Sequence, residues 1–150
     1  MEDERDHPRP ADQELDRGVC VTLLDAKEIG RIVLPGADPF VAPVNYIVVD
    51  DLIVFRSDPA SHAATRIGEM VLFEVDTVDV AHEAGWSVVV RGPLADVTER
   101  AATDPRMHRL HPWAPGDKSR WLAVRIDDVS GRWVEGPVRP TTHLDELGYL

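Results

Sequence analysis

This chain has little of what usually staples or anchors a small protein. Its single cysteine, Cys20, cannot close an internal disulfide, and cysteine poverty is what a reducing cytosol permits, so a cytoplasmic protein is expected. No apolar run approaches the roughly 20 residues that a membrane-spanning helix needs. The charged stretch from Met1 to Arg17 also lacks the apolar segment of a signal peptide. A soluble protein with no membrane partner is therefore expected. Lysine is nearly missing, since Lys27 and Lys118 are the only lysines among 16 basic residues, and the net charge is −11. That excess of negative charge repels phosphate backbones, and no basic patch offsets it, which argues against a nucleic-acid partner. His82, His108 and His111 do not fall at a metal-ligand spacing, and no second cysteine could complete a thiolate site, so no metal is expected. Without a Gly-x-Ser-x-Gly elbow, a phosphate-binding loop of the nucleoside triphosphatase type or a dinucleotide fingerprint, hydrolase and kinase readings have no support.

The 150 residues present suit one domain with an ordinary core. Residues 1–15 are dense in Asp, Glu, Arg and Pro with almost nothing to bury, which predicts a flexible arm ahead of a domain over 16–150. Val19, Leu23 and Leu24 sit at near-helical spacing, so Asp16 to Lys27 reads as a short helix ended by Gly30. Strands are predicted at Gly30 to Leu34, Phe40 to Val49, Leu52 to Arg56, Met70 to Asp76, Ser87 to Arg100 and Trp121 to Val129. Gly92 and Pro93 mark a bend in the fifth of these, as at a barrel corner. His62 to Gly68 and Ala101 to Leu110 read as helical connections, and Leu144 to Leu150 as a terminal helical turn. Short strands joined by turns, with few small helices, point to a mainly β barrel.

Several motifs occur in a characteristic order: Ile29-Gly30-Arg31, Ala42-Pro43-Val44-Asn45-Tyr46, Phe55-Arg56-Ser57, Phe73-Glu74-Val75-Asp76, Gly85 through Gly92, and Pro112-Trp113-Ala114-Pro115-Gly116. Their succession resembles the pyridoxamine 5'-phosphate oxidase-like family, in its small flavin-nucleotide-binding branch, over roughly Gly18 to Trp133. The resemblance implies a six-stranded antiparallel split β-barrel of the FMN-binding type, a homodimer, and a flavin mononucleotide in each of two clefts between subunits. It also implies that Arg56, Ser57 and Ser61 hold the flavin phosphate. An arginine fork with two hydroxyls suits that role. Asn45 and Tyr46 would approach the ring, and the strand beginning at Trp86 and Ser87 would run beside it. One position departs from the family pattern, since His62 follows Ser61 where a lysine is usual. A permanent charge is replaced by an imidazole that is largely neutral near pH 7.

Other readings of the same residues stand beside these. Ser57 and Ser61 flank Asp58-Pro59, which also makes an ordinary turn. His62 could contact the phosphate or cap the helix it begins, and Trp86 could be core or interface rather than a flavin neighbour. Trp113 could project over the cleft or pin its loop, while Trp121 and Trp133 read as packing. Arg91 should reach Glu74 or Asp76 in a salt bridge, or else solvent or a ligand phosphate. The implied activity is an FMN-dependent oxidoreductase acting on a small planar substrate at the dimer interface. Alternatives are a deazaflavin-dependent reductase with a basic groove from Arg31, Arg56, Arg66 and Arg91, and a non-catalytic flavin- or heme-binding protein in which His62 could ligate iron.

Overall fold

Apolar side chains alternating along successive strands give each strand one face to bury, and a sheet that must bury it can curl upon itself. The computed structural model describes residues 12–136. Its elements are β1 (Asp12–Leu15), α1 (Arg17–Asp25), β2 (Ile29–Leu34), β3 (Phe40–Val49), β4 (Leu52–Ser57), β5 (Met70–Asp79), β6 (Ala84–Asp96), α2 (Thr98–Thr103), β7 (Arg120–Arg125) and β8 (Asp128–Glu135). Short 3-10 turns lie at Ala63–Arg66 and Pro105–Arg109. The strands are antiparallel neighbours in the order β1-β8-β6-β5-β2-β3-β4-β7, and a further pairing of β7 with β6 closes six of them into a barrel. This is the mainly β, six-stranded split barrel that the motifs imply. No helix among the described residues is long and apolar enough to cross a membrane.

β6 makes the closure possible. Its first part pairs with β5 and β8, and Leu94 to Asp96 then pair with β7. At the bend, a Cβ on Gly92 would stand 1.7 Å from the carbonyl oxygen of Arg125, so only glycine lets the two strands approach. Ile32, Leu34, Phe55, Phe73, Val75, Val88, Val90 and Leu122 fill the interior. α1 closes one end with Cys20 and Leu24 buried, and Asp16 caps it by accepting from the Val19 amide at 2.9 Å. A second cluster of Val49, Val54, Met107, Leu110, Trp121 and Ala123 packs outside β4 and β7, under α2 and the 3-10 turn that follows.

Several sequence expectations change, and the strand expected over Ser87 to Arg100 ends at Asp96, with Thr98 to Arg100 opening α2 instead. Asp12 to Leu15, read as part of the arm, form β1 and pair with Leu15↔Gly131 through Asp12↔Val134 of β8. The strand expected over Trp121 to Val129 is two strands, β7 and β8, because Ile126 turns back with its amide on the Asp51 carbonyl at 2.8 Å. The single helix expected over Ala101 to Leu110 divides at Pro105, which has no amide to continue it, and Asp104 instead accepts from the Arg106 amide at 3.1 Å. The β5–β6 hairpin is longer than expected, with Asp79 paired to Ala84, because β8 supplies β6 with a second neighbour up to Ala84. The turn expected over Leu144 to Leu150 lies outside the described residues.

Candidate functional site

Neighbours on a strand point to opposite faces, and this decides where the phosphate-loop residues go. At the end of β4, Ser57 turns inward and is buried, while Arg56 turns outward onto the second cluster. The Ser57 and Ser61 hydroxyls hydrogen-bond to one another. Ser61 Oγ also accepts from the Ala64 amide at 3.1 Å, and Asp58 Oδ1 accepts from the Ala60 amide at 2.8 Å. The loop is thus shaped by its own hydroxyls and carboxylate. Ser61, rather than His62, caps the 3-10 turn; the His62 side chain makes no cap hydrogen bond. Its imidazole stacks on Phe40 instead, with ring centroids 4.2 Å apart and planes 15° from parallel.

Arg56 is half-buried and held on two sides. Its Nε donates to the Lys118 carbonyl at 2.8 Å, and its guanidinium carbon lies 4.8 Å from the centroid of the Trp121 ring. Among the described residues, nothing pairs with its two terminal nitrogens. This presents two parallel N–H donors in the geometry that an oxyanion accepts, so the fork suits a phosphate.

The proposed ring neighbours gather elsewhere. Asn45 faces outward beside Ile29 and accepts from the Trp113 amide at 2.8 Å through Oδ1, which ties the loop after the second 3-10 turn to β3. Trp113 is 67% exposed and borders a cavity of about 510 Å³ with Lys27, Glu28, Ile29, Arg31 and Asp76. Trp86 and Ser87 line a second cavity of about 380 Å³ on the other side of Asp76, with Thr77, Arg132 and Val134. Lys27 Nζ stands 5.9 Å from the Trp86 ring centroid. Tyr46 does not reach this surface. The alternation that exposes Asn45 sends Tyr46 into the core, 2% exposed, where its hydroxyl donates to the Leu24 carbonyl and its ring meets Phe73 edge-on at 5.0 Å. Burial, with Asp25 adding to it, pushes the phenol pKa well up, so the hydroxyl remains a donor.

Arg91 departs from its expected salt bridge. Glu74 and Asp76 both bind Arg31, the latter at 2.8 Å, because Arg31 faces Glu74 across β2 and β5. Their hydrogen bonds, Glu74's foremost, hold that guanidinium firmly charged. Arg91 stands in register between Leu72 and Asp128, exposed and without an ion pair among the described residues.

Three groups therefore emerge on one chain: Arg56 on Trp121, Ser57 and Ser61 with His62 in the adjoining loop, and Trp86, Ser87 and Trp113 around Asp76, with Asn45 bonded to the Trp113 amide. Trp121 and Lys27 carry parts that sequence reasoning did not assign to them. Trp121 could be found only through the β4–β7 register.

The family model described as pyridoxamine 5'-phosphate oxidase matches residues 16–133. The chain belongs to this family. It is 31% identical over 125 residues to the protein Rv0080 of Mycobacterium tuberculosis, covering 79% of this chain and 82% of that one. Among solved structures, the FAD binding protein from Mycobacterium smegmatis is 27% identical with a TM-score of 0.63, covering 82% of this chain and 98% of that chain. The conserved protein DIP1874 from Corynebacterium diphtheriae is 29% identical with a TM-score of 0.67, covering 83% and 98%. The pyridoxamine 5'-phosphate oxidase-like fold of this chain thus has a flavin-binding protein among its structural neighbours.

Proposed function

We propose that this protein is a flavin-dependent oxidoreductase that binds FMN at a cleft completed by a second copy of the chain. The observation that carries the reading is Arg56, whose Nη pair, without a partner among the described residues, is oriented by Trp121 and the Lys118 carbonyl. FMN needs one cationic contact for its phosphate and one flat apolar surface for its ring. Arg56 supplies the first, and exposed Trp113 beside the cavity at Lys27 offers the second. FAD, which the M. smegmatis relative binds by its name, carries the same ring and a phosphate at the same place, so it is the natural comparison ligand. Bound flavin supplies the electron chemistry, leaving this chain to position ring and substrate and to shield them from water. The substrate is then a small planar molecule stacked on the open ring face.

A homodimer is part of the proposal. In register, Val41, Val33 and Leu72 form a row across β3, β2 and β5 that ends at Arg91 of β6. Val41 is 58% exposed and nearby Met70 51%. A contiguous apolar strip on the outside of a barrel is the kind of surface that a second subunit covers.

Titration of the full chain decides the ligand. FMN, FAD, a deazaflavin coenzyme and heme are added separately while flavin fluorescence, the Soret band and thermal stability are followed. Saturable FMN or FAD binding is expected. A protein that responds only to the deazaflavin or to heme, or to none of the four, overturns the proposal.

A further inference from the structure

We infer that Trp121 is a positioning residue for the Arg56 phosphate fork, an inference that rests on the flavin reading above. The β4–β7 register sets Arg56 directly opposite Trp121, and the guanidinium carbon lies 4.8 Å from the indole centroid. The indole is itself held. It is 8% exposed, its backbone amide donates to Thr98 Oγ1 at 3.1 Å, and the His108 ring lies 5.4 Å from it, tilted by 56°. His108 is anchored in turn, with Nε2 2.8 Å from the Ala101 carbonyl. The stack therefore runs from α2 through His108 and Trp121 to Arg56.

The guanidinium lies over the indole ring, and its Nε–H is taken by the Lys118 carbonyl. What remains is the edge carrying Nη1 and Nη2. A free arginine loses much rotamer freedom when it clamps a ligand, and that loss weakens binding. Here the restraint already exists in the folded chain, so a phosphate meets an ordered fork. Cation–π contact favours this orientation and is stronger where water is excluded. A lysine in place of Arg56 could keep the charge but not the flat face or the paired donors.

FMN and riboflavin test this directly, because they share a ring and differ in the phosphate. Trp121→Leu is expected to weaken FMN binding roughly 3- to 30-fold, the range a cation–π contact spans, and to leave riboflavin affinity unchanged. Trp121→Phe, which keeps an aromatic face and fills the core, should lie between. In an Arg56→Met background, which removes the charge and the donors, FMN should lose its advantage over riboflavin and Trp121→Leu should have no further effect. Equal weakening of both flavins, or an effect that persists in the Arg56→Met background, overturns the inference.

A second measurement needs no flavin. The Arg56 Hδ resonances, on carbon and outside any hydrogen bond, should be shifted upfield by the indole ring current in the wild type and move toward the free-arginine position in Trp121→Leu. A wild-type resonance already at the free-arginine position defeats the positioning role. A wild type that prefers FMN to riboflavin while the Trp121 variants retain that preference undiminished defeats this inference alone. A wild type that binds neither flavin defeats the flavin reading and the phosphate role with it.

Discussion

At the residue scale, strand alternation parts Arg56 from Ser57 and Asn45 from Tyr46, so residues adjacent in a motif do different work. His62 is the position with the clearest consequence. Its imidazole is stacked on Phe40 and brings no permanent charge to a loop whose family pattern has lysine. Because a charge-assisted contact is worth roughly 1.5 to 3 kcal/mol, His62→Lys should tighten FMN binding by about 10- to 100-fold in a fluorescence titration. An unchanged affinity would show that the loop does not face the phosphate. Tyr46 makes a different prediction. Tyr46→Phe removes the donor to the buried Leu24 carbonyl and should cost about 1–3 kcal/mol in urea unfolding at neutral pH. The folded phenol holds its proton to higher pH than the unfolded one. The folded state therefore binds more protons, and its stability is lost as pH rises beyond about 10. The difference between wild type and Tyr46→Phe should shrink across that range, and a constant difference would contradict it. Residue types suited to phosphate were legible in the sequence. The Arg56–Trp121 contact was not, because it exists only once β4 and β7 pair.

Elements show the same division. The starts of β3, β4 and β5, the Gly92-Pro93 bend and the helix capped by Asp16 follow from local patterning, and β3 has the bounds that the sequence predicts. β1 was not legible, because its residues have little to bury and take their place through pairing with β8. The segment of α2 and the second 3-10 turn is tied down by charge. Asp50, at φ 54° between β3 and β4, accepts from Arg100 at 2.7 Å and from Arg106 at 2.9 and 3.0 Å. Asp104 joins through Arg106, whose hydrogen bond is the main reason its pKa falls to about 2; Asp50 is lowered chiefly by the same arginine. For depressed carboxylates the contribution is present above the unfolded value near 4 and is lost as pH falls through the folded one. Between about pH 4 and 2, α2 should loosen before the barrel, seen as a change in Trp121 fluorescence ahead of amide exchange at Val88 and Val90. Simultaneous loss of both signals would contradict that order.

For the whole molecule, barrel closure depends on the approach of β6 to β7 at Gly92. Gly92→Ala has no flexible side chain to displace, only the Arg125 backbone, and should cost about 3 kcal/mol or more in unfolding free energy. A change below about 1 kcal/mol would mean the strands can part there without loss. The closed barrel leaves Arg56, the Ser57–Ser61 loop and the Trp113 cavity as separate surfaces of one chain, which the proposed flavin and second copy would join. A crystal structure of the protein grown with FMN tests this most directly. The predicted result is a phosphate within hydrogen-bonding distance of Arg56 Nη1 and Nη2, with the ring bordered by a second subunit. A phosphate held by Lys27 or Arg91 while Arg56 stays unengaged, or a flavin contacted by one chain alone, would contradict it.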